Sequence, residues 1–295
     1  YNNIMNVLSL FNGISCGRLA LERAGVTIDN YFSSEIDQFC LKIDSKNYPD
    51  NQQIGDVKNI QTAYLPKIDL LMGGSPCQGF SIAGKKLAFD DPRSALFFEF
   101  VRILKECKPK FFLLENVRMK KEWLDIITSF LEVEPILINS NAVSAQNRQR
   151  YYWTNIPNVG HPPSLDTTTI GDILEIDVPE KYNPGQQLLD GYNGGDMLNP
   201  NYNSQANRIH KLDQKGPTLC AGSHGYNYGY VKYNNRIRRL TPVEFERLQG
   251  LPDNFTEGVS DTQRYKACGN GWNINTLSHI FKPLSYFQEG LKNNT

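Results

Sequence analysis

Short apolar runs recur along the first half of the chain, at residues 5–10, 31–35, 54–57, 68–72 and 111–114. Each is halted by glycine or a carboxylate, and helix-compatible stretches lie between them. Strands that alternate with helices fold as a parallel sheet covered by helices, because parallel neighbours need long crossovers. Sheets of this kind hold ligands outside the carboxyl ends of their strands. The residues that follow each run are therefore the ones to read for chemistry.

After the first run comes Phe11-Asn-Gly-Ile-Ser-Cys-Gly17, a glycine turn leading into a helix over 18–24. Such a turn lets a cofactor lie against the backbone, but Gly13 and Gly17 do not make the G-x-G-x-x-G dinucleotide fingerprint. The second run ends in Glu35, where α/β folds often bind ribose hydroxyls, and the third carries Asp56 at a strand end. Either carboxylate taken alone reads equally as a helix cap or a surface charge. The fourth run enters Gly73-Gly-Ser-Pro-Cys77-Gln-Gly-Phe-Ser81, where glycines and Pro76 make a rigid turn around one thiol. A free cysteine is commonly a small buried hydrophobe. After a strand, in a polar loop, it is also placed as a nucleophile. The fifth run ends in Glu115-Asn-Val, which puts Glu115 on the strand edge beside the one that carries Cys77.

Further along, 82–93 has neither period and reads as a lid, and Ser94 can cap a helix with an apolar stripe of Leu96, Phe97, Phe100, Val101 and Leu104. A helix over 122–131 and a strand at 136–138 precede Gln146-x-Arg148-x-Arg150 and an aromatic strand at 151–154. From 155 to 235 the chain turns to Asn, Gly, Pro and Tyr, a separate loop-rich module. Its tyrosine-rich stretch at 223–230 suits a recognition surface better than a linker. Thr241-Pro-Val-Glu244 is a capping box that opens a helix ending at Gly250. Cys268-Gly-Asn270-Gly leads into an amphipathic helix that includes Leu277, Ile280, Phe281, Leu284 and Phe287, expected to return to the main sheet.

The 295 residues suffice for one large domain and a smaller one. Six cysteines without a Cys-x-x-Cys pair and four scattered histidines argue against a disulfide scaffold or a zinc site. With no leader peptide and no long apolar run, the chain is expected in the cytoplasm and away from membranes. Tyr1 is not an initiator residue, and Met5 is nearer to an expected start. Net charge is zero, so any polyanion would be met by local patches: Arg148 with Arg150, Arg236 with Arg238 and Arg239, or Arg118 with Lys120 and Lys121.

Taken in order, Phe11–Gly17, Glu35, Asp56, Ser75-Pro-Cys77-Gln, Glu115-Asn-Val, Gln146-x-Arg148-x-Arg150, a variable module, Arg239-Leu-Thr-Pro-x-Glu and Gly269-Asn270-Gly resemble the DNA cytosine-5 methyltransferases over nearly the whole chain. Residues 96–100, 143–145, 151–153 and 261–287 look most similar to the animal de novo branch. Gln78-Gly-Phe-Ser, Pro217-Thr-Leu219 and Arg239-Leu-Thr-Pro read as bacterial or phage, and a bacterial or phage-infected cell is the expected setting, with a restriction partner left open.

The resemblance implies a Rossmann-like, S-adenosylmethionine-dependent methyltransferase sheet covered by helices. A catalytic, cofactor-binding domain is expected at 1–157 plus 262–295, and a smaller, loop-rich target-recognition domain at 158–261. It implies Cys77 as nucleophile towards C6 of a flipped-out cytosine, Glu115 at N3 and the exocyclic amine, and Arg150 at O2. For S-adenosylmethionine and its product S-adenosylhomocysteine, it implies Phe11 on the adenine, Glu35 on the ribose hydroxyls and Asp56 on the adenine amine. Asn12, Gly13, Ile14, Ile36, Val57, Leu96 and Asn270 complete that pocket, with Ile36 giving a looser clamp than the aromatic many relatives carry. For double-stranded DNA it implies Gln78, Ser81, Arg148, Thr218, Leu219 and Arg239, with Arg148, Lys85, Lys86 and Arg93 on phosphates and 156–235 reading base edges. No metal is implied, and a monomer is expected. An RNA cytosine-5 methyltransferase and a non-catalytic binding homologue remain as alternatives, although Ser75 and Gly79-Phe-Ser81 resemble the DNA enzymes better.

Overall fold

Seven strands form the principal sheet: β1 (Met5–Leu10), β2 (Ile28–Ser34), β3 (Gln52–Gln53), β4 (Leu70–Gly73), β5 (Phe111–Val117), β6 (Ile136–Asn139) and β7 (Gln149–Thr154). Their spatial order is β3-β2-β1-β4-β5-β7-β6. The structure is a computed structural model that describes residues 4–75, 95–185, 189–190, 192–199, 205–221 and 229–292. Between the strands lie α1 (Cys16–Ala24), α2 (Gln38–Asn47), α3 (Ala95–Cys107) and α4 (Lys121–Leu131). β1 pairs in parallel with β2 and β4, β2 with β3, and β4 with β5.

One strand departs from the all-parallel expectation. β7 runs antiparallel to β5. The link from β6 to β7 is only residues 140–148, with one 3-10 turn at Ser140–Ala142. That is shorter than the dozen or so residues a parallel crossover needs, so the chain returns in the opposite sense.

The core of the sheet explains why these runs are apolar. Leu8, Leu10, Leu71, Phe112, Leu114 and Trp153 are buried together with Phe97, Phe100 and Ile103 of α3 and Trp123, Ile127 and Leu131 of α4. Leu96 and Leu104 are partly buried at its margin. The final helix, α7 (Ile274–Lys292), returns to this sheet as expected. Phe287 meets Phe111 of β5 edge-on at 5.5 Å, and the Gln288 amide both accepts from and donates to the Thr27 backbone.

By compactness the chain divides into two units: residues 1–138, 149–162 and 276–295, and residues 139–148 with 163–275. This is a division of packing. The functional boundaries expected at 157 and 262 are a separate matter.

In the second unit β8 (Ile209–His210), β9 (Tyr230–Tyr233) and β10 (Arg236–Arg238) form a small sheet. β9 and β10 are joined by Asn234 and Asn235, both with positive φ, the pair a tight hairpin favours. α5 (Pro242–Gln249) opens on the full Thr241–Glu244 capping box and stops at left-handed Gly250. Its Glu244 also takes a two-pronged ion pair from Arg238, with both side chains buried. α6 (Asp261–Asn270) was not expected from the sequence, where the stretch from Cys268 reads only as the lead into the last helix. Its Asp-Thr-Gln-Arg start carries no apolar stripe, and only Tyr265, Ala267, Cys268 and Gly269 are buried.

Candidate active site

Register brings the site residues level. Leu10 pairs with Ser34 and with Gly73, and Gly73 pairs with Leu114. The next residues on these four adjacent strands are Phe11, Glu35, Gly74 and Glu115. They form one row along the carboxyl edge, where such sheets bind ligands. Gly73 must lack a side chain, because a Cβ there would lie 3.0 Å from the Phe100 ring and 3.3 Å from the Leu10 carbonyl.

The turn after β1 is held in an unusual shape. Phe11, Gly13 and Ser15 have φ of 55°, 58° and 62°, a left-handed conformation that costs a non-glycine residue about 1–3 kcal/mol. The surroundings fix it. The Asn12 N–H donates to the Ser34 carbonyl at 3.0 Å, its amide donates to Ser15 Oγ at 2.8 Å, and the Tyr31 hydroxyl donates to Asn12 Oδ1 at 2.9 Å. Ser15 in turn donates to Asp44, a fully buried carboxylate on α2 that also accepts from Asn51 and Gln53. Burial pushes the Asp44 pKa up, against the lowering effect of these donors. No motif marked Asp44 or Tyr31. The available signal was a carboxylate beside Ile43 on the inward face of α2.

Glu35 locks the same turn from the next strand. Its Oε2 accepts from the Gly13 N–H at 2.8 Å, and its Oε1 accepts from the Ile36 and Asp37 N–H groups at 2.7 and 2.8 Å. Asp56 caps the 3-10 turn Val57–Asn59 through the Lys58 N–H, and Ser34 Oγ donates to the neighbouring Gly55 carbonyl at 2.7 Å. Val57 is buried in the core and Ile14 behind the turn, whereas Ile36 is 66 % exposed. A strand edge carrying Glu35 and Asp56 repels phosphates and offers acceptors to a diol and an amine. Those are the polar groups of a nucleoside without a phosphate, and S-adenosylmethionine is of that kind, so the donor set fits it.

At the other end of the row, Arg150 Nε meets Glu115 Oε1 at 2.9 Å, with both side chains nearly buried. Glu115 lies two residues before Val117, and Val117 is the register partner of Arg150. Residues i and i+2 share a face, so antiparallel β7 sets Arg150 diagonally beside Glu115. The Asn116 amide reaches back to Ser75, to its carbonyl at 3.4 Å and its hydroxyl at 3.3 Å, and ties the exit of β4 to the end of β5. Cys77, Gln78 and Ser81 lie outside the described residues, as do Lys85, Lys86, Arg93, the expected lid and most of the tyrosine-rich stretch.

In the second unit, residues expected at the DNA take part in internal hydrogen bonds and packing. Arg148, expected on phosphate, is 3 % exposed, and its guanidinium donates to the carbonyls of Leu219, Gly269 and Gly271. The Leu219 side chain is 1 % exposed and packs inward. Thr218 is half-buried and donates to the Asn147 carbonyl at 2.6 Å. Arg239 donates to the Lys181 carbonyl at 3.1 Å, and Asn270 is exposed at the end of α6.

A parallel-rich sheet with this strand order, a strained turn after β1 and carboxylates at Glu35 and Asp56 beyond the next strands is an α/β fold whose carboxyl edge fits a phosphate-free nucleoside. Comparison makes the class specific. Residues 5–285 match the family of C-5 cytosine-specific DNA methylases, and the chain belongs to that family. It is 35 % identical over 302 residues to the type II methyltransferase M1.ScrFI of Lactococcus lactis subsp. cremoris, covering 94 % of this chain and 77 % of that one. It is 32 % identical over 307 residues to M.NlaX of Neisseria lactamica, covering 90 % and 92 %. Among solved structures, the Entamoeba histolytica methyltransferase EhMeth matches with a TM-score of 0.78 at 21 % identity, over 95 % of this chain and 98 % of that one. The S. pombe Dnmt2 methyltransferase matches at 0.76 and 20 %, over 97 % and 99 %. The protein is a DNA cytosine-5 methyltransferase, and its family implies use of S-adenosylmethionine and action on DNA. Among the described residues no helix is long and apolar enough to cross a membrane, and no group of three or more His, Cys, Asp or Glu gathers to hold a metal.

Proposed function

We propose that the chain methylates C5 of a cytosine flipped out of double-stranded DNA, through a covalent bond from Cys77 to C6. The observation that carries this reading is the Glu115–Arg150 pair, set one strand over from the run that leads into Cys77 and level with the cofactor turn. A carboxyl and a guanidinium side by side suit the N4, N3 and O2 edge of cytosine.

C5 of cytosine is a weak nucleophile. Addition of the Cys77 thiolate to C6 makes the ring enamine-like. Glu115, carrying or sharing the N3 proton, draws electron density as the thiolate attacks and accepts from the exocyclic amine. Arg150 donates to O2 and stabilises the charge that gathers there. S-adenosylmethionine, when bound, supplies an electrophilic methyl group to C5. The C5 proton then passes to solvent water, the C6–S bond breaks to release Cys77 as its thiolate, and the aromatic ring is restored.

Glu35 and Asp56 hold the ribose hydroxyls and the adenine amine, and Phe11 packs on the adenine. Asn12, Gly13, Ile14, Ile36, Val57 and Leu96 complete the pocket. Residues 1–157 with 262–295 form the catalytic domain and 158–261 the target-recognition domain. Gln78, Ser81, Thr218 and Arg239 belong to the DNA side. A base inside a duplex cannot reach a thiol, so the target is flipped out, at a cost of a few kcal/mol.

The test is methyl transfer from labelled S-adenosylmethionine to mixed-sequence duplex DNA and to tRNA, wild type beside Cys77→Ala, with bisulfite mapping of the product. Label on C5 of DNA cytosines that disappears in the variant is the expected result. Label on tRNA alone moves the substrate to RNA, and label that survives Cys77→Ala removes the covalent step.

A further inference from the structure

Asp44 is a buried ionisable group that the proposed reaction does not use. It lies fully buried on α2 and accepts from the Ser15 hydroxyl, from the Gln53 amide and from Asn51 Nδ2, the last at 2.6 Å. These three donors are neutral. A carboxylate buried among neutral groups costs stability that an apolar side chain on the same inward face would not. What it supplies is a fixed direction for the Ser15 hydroxyl.

The hydrogen bonds around Ser15 have one consistent direction. Asn51 Oδ1 accepts from Arg18 Nη1, which turns Asn51 Nδ2 towards Asp44 and towards Ser15 Oγ, the latter at 3.0 Å. Asn12 Oδ1 accepts from the Tyr31 hydroxyl at 2.9 Å, which turns Asn12 Nδ2 towards Ser15 Oγ at 2.8 Å. Two amide donors thus occupy both lone pairs of Ser15 Oγ, and its single proton goes to Asp44. A buried network satisfied in this way holds one arrangement, because each member lost leaves another without a partner. That arrangement is a strained one. Phe11 and Ser15 are left-handed at φ 55° and 62°, and such conformations persist only where the surroundings over-determine them. Glu35 constrains the turn through the Gly13 N–H at 2.8 Å, and Asp44 constrains it separately through Ser15 and Asn12.

We propose that Asp44 is a positioning residue for the cofactor: acting through Ser15 and Asn12, it keeps the turn at 11–15 in the shape that receives S-adenosylmethionine. The inference rests on the reading of that turn as the cofactor seat. Without Asp44 the empty turn relaxes, and binding has to restore its shape. Affinity therefore falls although Asp44 touches no cofactor, because the site is no longer preorganised.

The experiment measures the affinity of the full chain for S-adenosylhomocysteine by calorimetry, well below each variant's melting temperature. Asp44→Ala is expected to weaken binding roughly tenfold, the equivalent of one hydrogen bond to a charged group. Ser15→Ala combined with Asp44→Ala is expected to bind no more weakly than Asp44→Ala alone, since both act through one bond. Asp44→Asn sets an amide donor against the Gln53 amide and is expected to lose less. Adding Gln53→Glu gives that donor a carboxylate to meet, and affinity is expected to recover. Leu284→Ala, at a fully buried position of the last helix, controls for general loosening of the same unit and is expected to bind like wild type. Glu35→Gln tests the turn as the cofactor seat. If Glu35→Gln weakens binding and Asp44→Ala does not, the positioning role is wrong. It is equally wrong if Leu284→Ala loses as much affinity as Asp44→Ala, if the Ser15 and Asp44 losses add, or if Gln53→Glu restores nothing to Asp44→Asn. If Glu35→Gln binds like wild type, the reading of the turn fails and the inference falls with it.

Discussion

Two side chains dominate at the scale of single residues, because each is held in place by groups that it also needs for chemistry. Glu115 has one carboxylate oxygen on Arg150 and sits nearly out of solvent. On the proposed mechanism Glu115→Gln keeps the shape but removes the group that handles the N3 proton, so methyl transfer measured in a single turnover is expected to drop about 10²–10⁴-fold, with DNA binding retained. Glu35 accepts three backbone N–H groups in addition to any ligand. Glu35→Gln places an amide donor against those donors, and S-adenosylhomocysteine affinity in titration calorimetry is expected to fall roughly 10–100-fold. Phe11, Glu35 and Glu115 could be picked out from the sequence, because a residue just after an apolar run falls on the ligand edge of a parallel sheet, whereas Arg150 was singled out through the family resemblance. The burial of Arg148 could not be read. In sequence a cation near other cations looks like a phosphate contact, and only the fold reveals that three carbonyls surround it.

Secondary-structure elements position these residues through register, and register depends on a few small contacts. Gly73→Ala sets a Cβ against Phe100 and the Leu10 carbonyl. A cost of about 1–3 kcal/mol is expected, read from urea unfolding, because the Phe100 ring must shift to admit the methyl group. Thr241→Ala removes half of a capping box whose other half is also tied to Arg238, and about 1 kcal/mol is expected by the same measurement. Most strands of the principal sheet, α1 to α5 and the last helix were legible because periodicity and caps are local signals. The direction of β7, the short strands of the second unit and α6 were not. The direction of a strand depends on how the chain returns to the sheet, and α6 is stabilised by tertiary contact rather than by an apolar stripe.

Two carboxylates on a molecule of zero net charge respond oppositely to acid. Asp253 is held below its ordinary pKa by the hydrogen bond from Arg247, so its stabilising contribution is fully present above about pH 4 and is lost as pH falls through the lower folded value. Burial raises Asp44 instead, so the folded state binds the proton more readily. That contribution is greatest below about pH 4 and is lost as pH rises through the raised value. In pH-dependent unfolding, the penalty of Asp253→Asn is therefore expected to grow from acid towards neutrality and that of Asp44→Asn to shrink.

The last helix holds the first unit together from its far end in sequence: Leu284 is fully buried, and Leu284→Ala is expected to cost about 2–5 kcal/mol in thermal unfolding. That unit is made of residues 1–138, 149–162 and 276–295, with the stretch 163–275 belonging elsewhere. On a ribosome its pieces arrive in instalments. At about 5–20 residues per second the intervening stretch takes on the order of ten seconds to synthesise, and for that time the face that Phe287 and Leu284 later cover stands bare to water. Completion of the catalytic sheet is thus a late event in biosynthesis, and shielding of the nascent chain over that interval will set how much active enzyme a cell obtains.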